Sequence, residues 1–213
     1  LQSNMATNPG IDVGETAKRA WRGAEIPAAG GTGNARSVAE IHAILANGGV
    51  AKGKRFLSEA GCRRALECQV EGTDLVLGIP VRFGMGFGLP GGMVPLPNPN
   101  SCYWGGYGGS IAIIDMDAQT TFSYVMNRME GTTTGDARGF VGRELEAAVA
   151  GQPGAEEIGH PRAIAAQQVE HEALEVAGLA DVHRGAGCLV RVGAAAHAVD
   201  AGTKELVEHV VFV

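Results

Sequence analysis

At 213 residues, with 45% hydrophobic and 19% charged positions, the chain has enough apolar surface for one ordinary domain or one domain with an appendage, and too much for wholesale disorder. A net charge of −6 and a pI near 5.5 argue against a nucleic-acid partner, which needs a basic face. No run approaches the ~20 apolar residues of a membrane span, and the first residues lack the basic-then-apolar pattern of a secretory signal.

Other composition features narrow the reading. Glycine is the outlier, with 33 residues, about twice the usual ~7% share, which favours turns and close backbone approach over a helical bundle. Cys62, Cys68, Cys102 and Cys188 show no Cys-x-x-Cys spacing, so they read as free thiols in a reducing, cytoplasmic compartment. Leu1 to Asn4 either precede a start at Met5 or are interior sequence of a longer protein.

Taken in chain order, the first clear element is a helix over Ser37 to Asn47. Ser37 and Glu40 fit a capping box, Val38, Ile41 and Leu45 share a face, and Gly48-Gly49 ends it. Lys52, Lys54 and Arg55 read as a solvated loop. A second helix is expected from Ser58, its cap, to about Val70. Val81 to Leu89 alternates glycine with larger residues and reads as a strand, and Pro90 to Asn100 as a turn-rich loop. Then comes Cys102-Tyr103-Trp104-Gly105-Gly106-Tyr107-Gly108-Gly109-Ser110, followed by a hairpin of Ile111 to Asp115 and Thr120 to Asn127. A glycine-lined strand edge that opens a hairpin can present amide N–H groups to a substrate oxygen, as half of an oxyanion site. Asp136 can cap a helix to Ala150 that buries Phe140, Leu145, Ala148 and Val149. Beyond it, Ile164 to Val176 reads as a helix, and Cys188 to Val199 and Leu206 to Val213 as strands.

Residues 1–150 and 151–213 differ in kind. All six Met, both Trp and all three Tyr lie in the first part, and five of the six His (160, 171, 183, 197, 209) in the second. The first part carries 13 basic and 14 acidic residues, the second 4 and 9. Gly151-Gln152-Pro153-Gly154 supplies linker-like punctuation between them.

Several motifs resemble those of a known family. Trp21-Arg22, Ala24 to Ala29, and Gly33-Asn34-Ala35-Arg36 leading into a helix look like the segment before a core helix of β-lactamase-fold esterases, serine hydrolases related to class C β-lactamases and penicillin-binding proteins. Trp104-Gly105-Gly106 resembles the triplet that stands in those esterases where β-lactamases have Lys-Thr-Gly. The hairpin ending Val125-Met126-Asn127 looks like the family's last strands, and the helix to Ala150 like its terminal helix. Gly30 and Thr32 depart from the Asn and His expected there. The likeness covers roughly residues 7–150. It implies an α/β (α+β) fold, an antiparallel sheet packed with helices and a partial β-lactamase/penicillin-binding-protein-like domain, followed by a 151–213 tail with no counterpart in the family.

In that family an acyl group passes to the serine of a Ser-x-x-Lys motif and water then releases it. The resemblance assigns Tyr107, through its backbone N–H, to the oxyanion site, and Trp104, Gly105 and Gly106 to the substrate strand. The chain departs from the pattern at the nucleophile. None of Ser3, Ser37, Ser58, Ser101, Ser110 and Ser123 is followed by lysine three positions on, and Tyr103, Tyr107 and Tyr124 lack the partner of the family's tyrosine motif. The family carries both motifs upstream of the matching segment. The expectation is therefore the C-terminal half of such an enzyme, inactive or nearly so in isolation, which would act on a small-molecule ester or β-lactam if completed. The alternative is a non-catalytic binding or assembly module derived from such a fragment.

The remaining features read blandly. Glycines from 84 to 92 lack a Gly-Lys-Ser/Thr ending, so no phosphate loop is expected. The tail histidines lack metal-ligand spacing, and no metal or cofactor is expected. Asp115 and Asp117 are turn formers. Missing N-terminal strands would leave a sheet edge open. The chain should then self-associate or accept a strand from a complementing chain or from its own tail.

Overall fold

The computed structural model describes residues 10, 12–92, 94, 96, 98–126, 129 and 131, and the backbone of three further strands between 163 and 211. A 3-10 turn at Val13–Ala17 and a short helix α1 (Arg19–Arg22) lead through the two-residue strand β1 (Thr32–Gly33) into helix α2 (Ala35–Ala46). The cap of α2 is Asn34, three residues before the expected Ser37. The Asn34 side chain accepts the Ser37 amide at 2.9 Å, and Ser37 Oγ accepts the Asn34 amide at 3.0 Å. Ser37 is thus the far half of the capping box. Glu40 is left to pair with Lys52 at 3.0 Å.

The segment expected to be a solvated loop is a minimal hairpin of β2 (Val50–Ala51) and β3 (Lys54–Arg55). Lys52 and Gly53 both take positive φ (49° and 73°), as a two-residue turn joining right-twisted strands requires. Arg55 donates from one guanidinium nitrogen to the carbonyls of Gly48 and Leu57, tying the hairpin to the end of α2.

Helix α3 (Glu59–Ala65) starts at Ser58, whose hydroxyl accepts the Gly61 amide at 3.0 Å, as expected. It stops five residues short of Val70. Continuing would pair the Gln69 amide with the Ala65 carbonyl, and both groups are taken: Met85 donates to Ala65 at 2.9 Å and Gln69 to Phe83 at 2.8 Å. Val70 instead opens a strand, β4 (Val70–Thr73), paired with β5 (Pro80–Phe83). The long strand expected over Val81 to Leu89 is interrupted at Gly84 and resumes as a single bridge at Gly88.

The main sheet has five antiparallel strands in the order β6-β7-β8-β10-β9: β6 (Ser101–Gly105), β7 (Ile111–Asp115), β8 (Thr120–Met126), β9 (Ala163–Ala165) and β10 (Gly185–Arg191). The expected hairpin is present over Ile111–Asp115 and Thr120–Met126, with Ile113 opposite Phe122 and Ile114 opposite Thr121, and Asn127 lies outside the described residues. Alternate residues of a strand face opposite ways, yet all five of β7 and all seven of β8 are buried, so both faces are covered. One buried cluster joins Ala35 and Ala39 to Ile111, Ile113, Phe122 and Tyr124. The other joins Val38, Leu45 and Ala46 to Cys62, Leu89, Cys102, Ala112 and Ile114.

Asp115 and Asp117 hold the hairpin tip, as expected of turn formers. Asp115 Oδ1 accepts the amides of Asp117 and Ala118, both at 2.8 Å, and Oδ2 accepts the Asn98 side chain at 2.6 Å. Asp117 accepts from the Asn100 backbone and side chain, so the two carboxylates clasp the preceding loop to the tip.

The expected helix from Ile164 is a strand at its start, since Ala163–Ala165 pairs with β10, and the rest of that helix lies outside the described residues. Of the strand expected at Cys188 to Val199, Cys188 to Arg191 lie in β10 (Gly185–Arg191), and of that expected at Leu206 to Val213, Val210–Val211 form β11, paired with β1; the rest of both lies outside the described residues. The helix expected over 136–150 lies outside the described residues. Among the described residues no helix is long and apolar enough to cross a membrane, and no group of His, Cys, Asp and Glu could hold a metal ion.

Candidate active site

Trp104, Gly105, Gly106 and Tyr107 lie at the outer margin of the main sheet, because β6 is its first strand. The outer edge of β6 is bonded at Tyr103, whose amide donates to Gly88 at 3.0 Å and whose carbonyl accepts from Gly88 at 2.9 Å. Tyr103 and Ile113 therefore form a non-hydrogen-bonded pair, and so, two residues on, do Gly105 and Ile111. The Gly105 N–H accordingly points to the open edge. The Gly106 amide turns inward to the Ser110 carbonyl at 3.0 Å.

After Gly106 the chain folds into a four-residue turn. The Gly109 amide donates to the Gly106 carbonyl at 3.3 Å, and Gly108, third in the turn, has φ +93°. That is the geometry of a type II turn, with glycine required at its third position. A side chain at Gly108 would also have to displace the Met side chains beside it, since its Cβ would stand 2.8 Å from Met126 Cε and 2.6 Å from Met129 Cε. Tyr107 occupies the second position, and its N–H has no acceptor among the described residues.

The walls of this margin are aromatic. Trp104 is 45% exposed and packs against Phe83, ring centroids 5.8 Å apart at 55°. Tyr103, its neighbour on the opposite face, packs against the cluster that contains Ile111 and Ile113. Burial raises the pKa of the Tyr103 phenol above its already high ordinary value. Its ring lies over Gly88, where a Cβ would stand 2.3 Å from Tyr103 Cε1. Phe83 and Gly88 were not singled out from sequence. Their signal was present in the glycine-alternating run from 81, which reads as one strand and gives no hint of the break that turns Phe83 toward Trp104.

The five described serines are all occupied or enclosed. Ser37 and Ser58 cap helices. Ser101, Ser110 and Ser123 are fully buried, their hydroxyls without a hydrogen-bond partner. None combines accessibility with a neighbouring base. Buried Cys102 is no substitute nucleophile, because desolvation, with the nearby Asp115 charge adding to it, pushes its thiol up to about 12.

The Beta-lactamase family model matches residues 2–146, more than half of the chain. The chain belongs to the beta-lactamase family. Among characterised relatives, it is 36% identical over 124 residues to the "Esterase/beta-lactamase LipL" of Mycobacterium tuberculosis, covering 56% of this chain and 28% of that protein. Among solved structures it is similar to a family VIII carboxylesterase, at 36% identity and TM-score 0.61, covering 67% of this chain and 38% of the other. A penicillin-binding protein homologue from Caulobacter crescentus matches at 31% identity and TM-score 0.51, covering 63% and 36%. The antiparallel sheet with packed helices is thus the fold of a beta-lactamase-family serine hydrolase. The chain spans about a third of the length of these relatives.

Proposed function

We propose that this chain supplies the substrate strand and one oxyanion donor of a serine hydrolase acting on a small-molecule ester or β-lactam, and that the nucleophile belongs to polypeptide outside these 213 residues. One observation carries the reading: the Tyr107 amide, without an acceptor among the described residues, stands in a glycine turn at the sheet margin, within the family-matched segment. Trp104 and Phe83 form an apolar wall for the acyl or leaving group beside it. The free thiols of Cys62, Cys68 and Cys102 suit a reducing, cytoplasmic setting.

The isolated chain is expected to hydrolyse neither a p-nitrophenyl ester nor a chromogenic cephalosporin appreciably. Turnover abolished by a single serine substitution would refute this division of labour. When the chain is completed with the Ser-x-x-Lys portion of a family esterase, Tyr107→Pro tests the donor. Proline is favoured at the second position of a type II turn, so the variant deletes the amide and keeps the turn. Losing one oxyanion donor should lower kcat by about 10²–10³-fold. An unchanged kcat would remove Tyr107 from the site. The absence of any Ser-x-x-Lys supports a second reading, a binding or assembly module with no catalysis in any context. A completed protein that is folded but stays unlabelled by a fluorophosphonate probe would favour it.

A further inference from the structure

The tail beyond residue 150 plays no part in the proposed site, yet it meets the sheet at its most vulnerable edge. Strand β8 reads Thr-Thr-Phe-Ser-Tyr-Val-Met, with no charge, proline or glycine. Uncharged strands of this length and β-propensity pair with whatever edge is available, and native proteins cover or charge them. One edge of β8 is taken by β7. The other is matched along its whole length by β10, from Gly185 opposite Met126 to Arg191 opposite Thr120. At the far side of the sheet, β6 is protected differently, by the bridge to Gly88 and the turn after Gly105. A second tail strand, β11, pairs with Thr32 and Gly33, immediately before the Asn34 cap of α2.

We propose that residues 185–191 are an in-chain strand whose role is to cover β8 against pairing with a second copy of this chain. Without it, about half of the β8 residues would present an unpaired N–H and C=O. Covalent connection favours the in-chain strand, because a tethered segment competes at an effective concentration on the order of mM. The 4 basic and 9 acidic residues after 150 add like-charge repulsion between copies. This closure is independent of any hydrolase chemistry.

The register supplies its own test, since native Cys188 lies opposite Ser123. Directly opposed antiparallel residues have Cα atoms about 4.5–5.5 Å apart, within the ~4.4–6.8 Å range of disulfides. The Ser123 hydroxyl is buried without a partner, so a thiol there breaks no hydrogen bond. In a Cys68→Ser background, which removes the exposed thiol, Ser123→Cys treated with oxidised glutathione should give an intrachain disulfide and a monomer on non-reducing gels and by intact mass. Adding Cys188→Ser should abolish it. A folded protein with no crosslink, or with 123–188 crosslinks between chains, would overturn the proposal. The second test uses the full chain carrying Leu189→Pro and Val190→Pro. Successive N–H groups of a strand face opposite edges, so one of the two prolines removes a donor to β8. Light scattering should show the parent as a monomer and this variant shifting to larger species as concentration rises. An oligomeric parent, or a variant that stays monomeric, would overturn the proposal.

Discussion

Substituting Gly88 by alanine tests how the candidate site is held. The added Cβ would stand 2.3 Å from Tyr103 Cε1, 2.5 Å from Cζ and 2.9 Å from Cδ1, where carbon atoms prefer about 3.5–4.0 Å. The ring must therefore retreat by roughly 1 Å or more. It cannot take its backbone along, because Tyr103 is bonded to Gly88 through both its amide and its carbonyl. The ring would leave its packing against the Ile111 and Ile113 cluster. Overpacking of this kind costs about 1–3 kcal/mol, and reduced freedom of the unfolded chain returns about 0.4–1 kcal/mol. The expected net loss is about 1–2 kcal/mol. Urea unfolding of the parent, Gly88→Ala, Tyr103→Ala and the double variant would measure it, with equal m-values as the check on two-state behaviour. In the Tyr103→Ala background the alanine should cost nearly nothing, giving a coupling energy of about 1–2 kcal/mol. Equal costs in the two backgrounds, or a Gly88→Ala protein as stable as the parent, would refute the account.

Two further outcomes follow from buried Asp115 and half-buried His42. Asp115→Ala strips the acceptor from two backbone amides and the Asn98 side chain. It should destabilise the protein by about 2–4 kcal/mol, whereas Asp115→Asn, which keeps one carbonyl oxygen, should cost clearly less in the same denaturation assay. His42 titrates below its ordinary value of 6.5, because burial disfavours the charged ring more than the hydrogen bond to the Val38 carbonyl favours it. The unfolded chain therefore binds the proton more readily, so stability is complete above about pH 6.5 and declines as pH falls toward the lower folded-state pKa. The urea midpoint should drop between about pH 7.5 and pH 5.5, and His42→Gln should flatten that slope. An unaltered slope would place the titrating group elsewhere.

The local signals that proved legible share a cause: each is satisfied within a few residues. The Ile111–Asp115 run, the turn built on Asp115 and the strand after it form a hairpin whose partners are neighbours in sequence. Ser58 caps α3 on its own third residue. The beta-lactamase family was likewise readable from the Trp104-Gly105-Gly106 triplet and its flanks. At the start of α2 the sequence signal was three residues off: Ser37 belongs to the capping box, but as the partner of the Asn34 cap, and Glu40 takes no part in it.

Tertiary structure decided what depended on distant partners. Helix α3 ends at Ala65 because a loop amide from Met85 takes the carbonyl that its continuation needed. Phe83 meets Trp104 because the chain breaks at Gly84 and returns at Gly88. The alanine-rich segment at 163–165 lies in a strand, although its composition suits a helix, because β10 offers it an edge, and β10 in turn lies where β8 had one unpaired. Propensity is worth at most about 1 kcal/mol per residue, and a strand that finds an open ladder gains hydrogen bonds and burial that outweigh it. Composition, the Ser58 cap and the glycine motif were therefore legible in the sequence alone, while the choice of edge, and with it the strand order of the sheet, belonged to contacts between residues far apart in the chain.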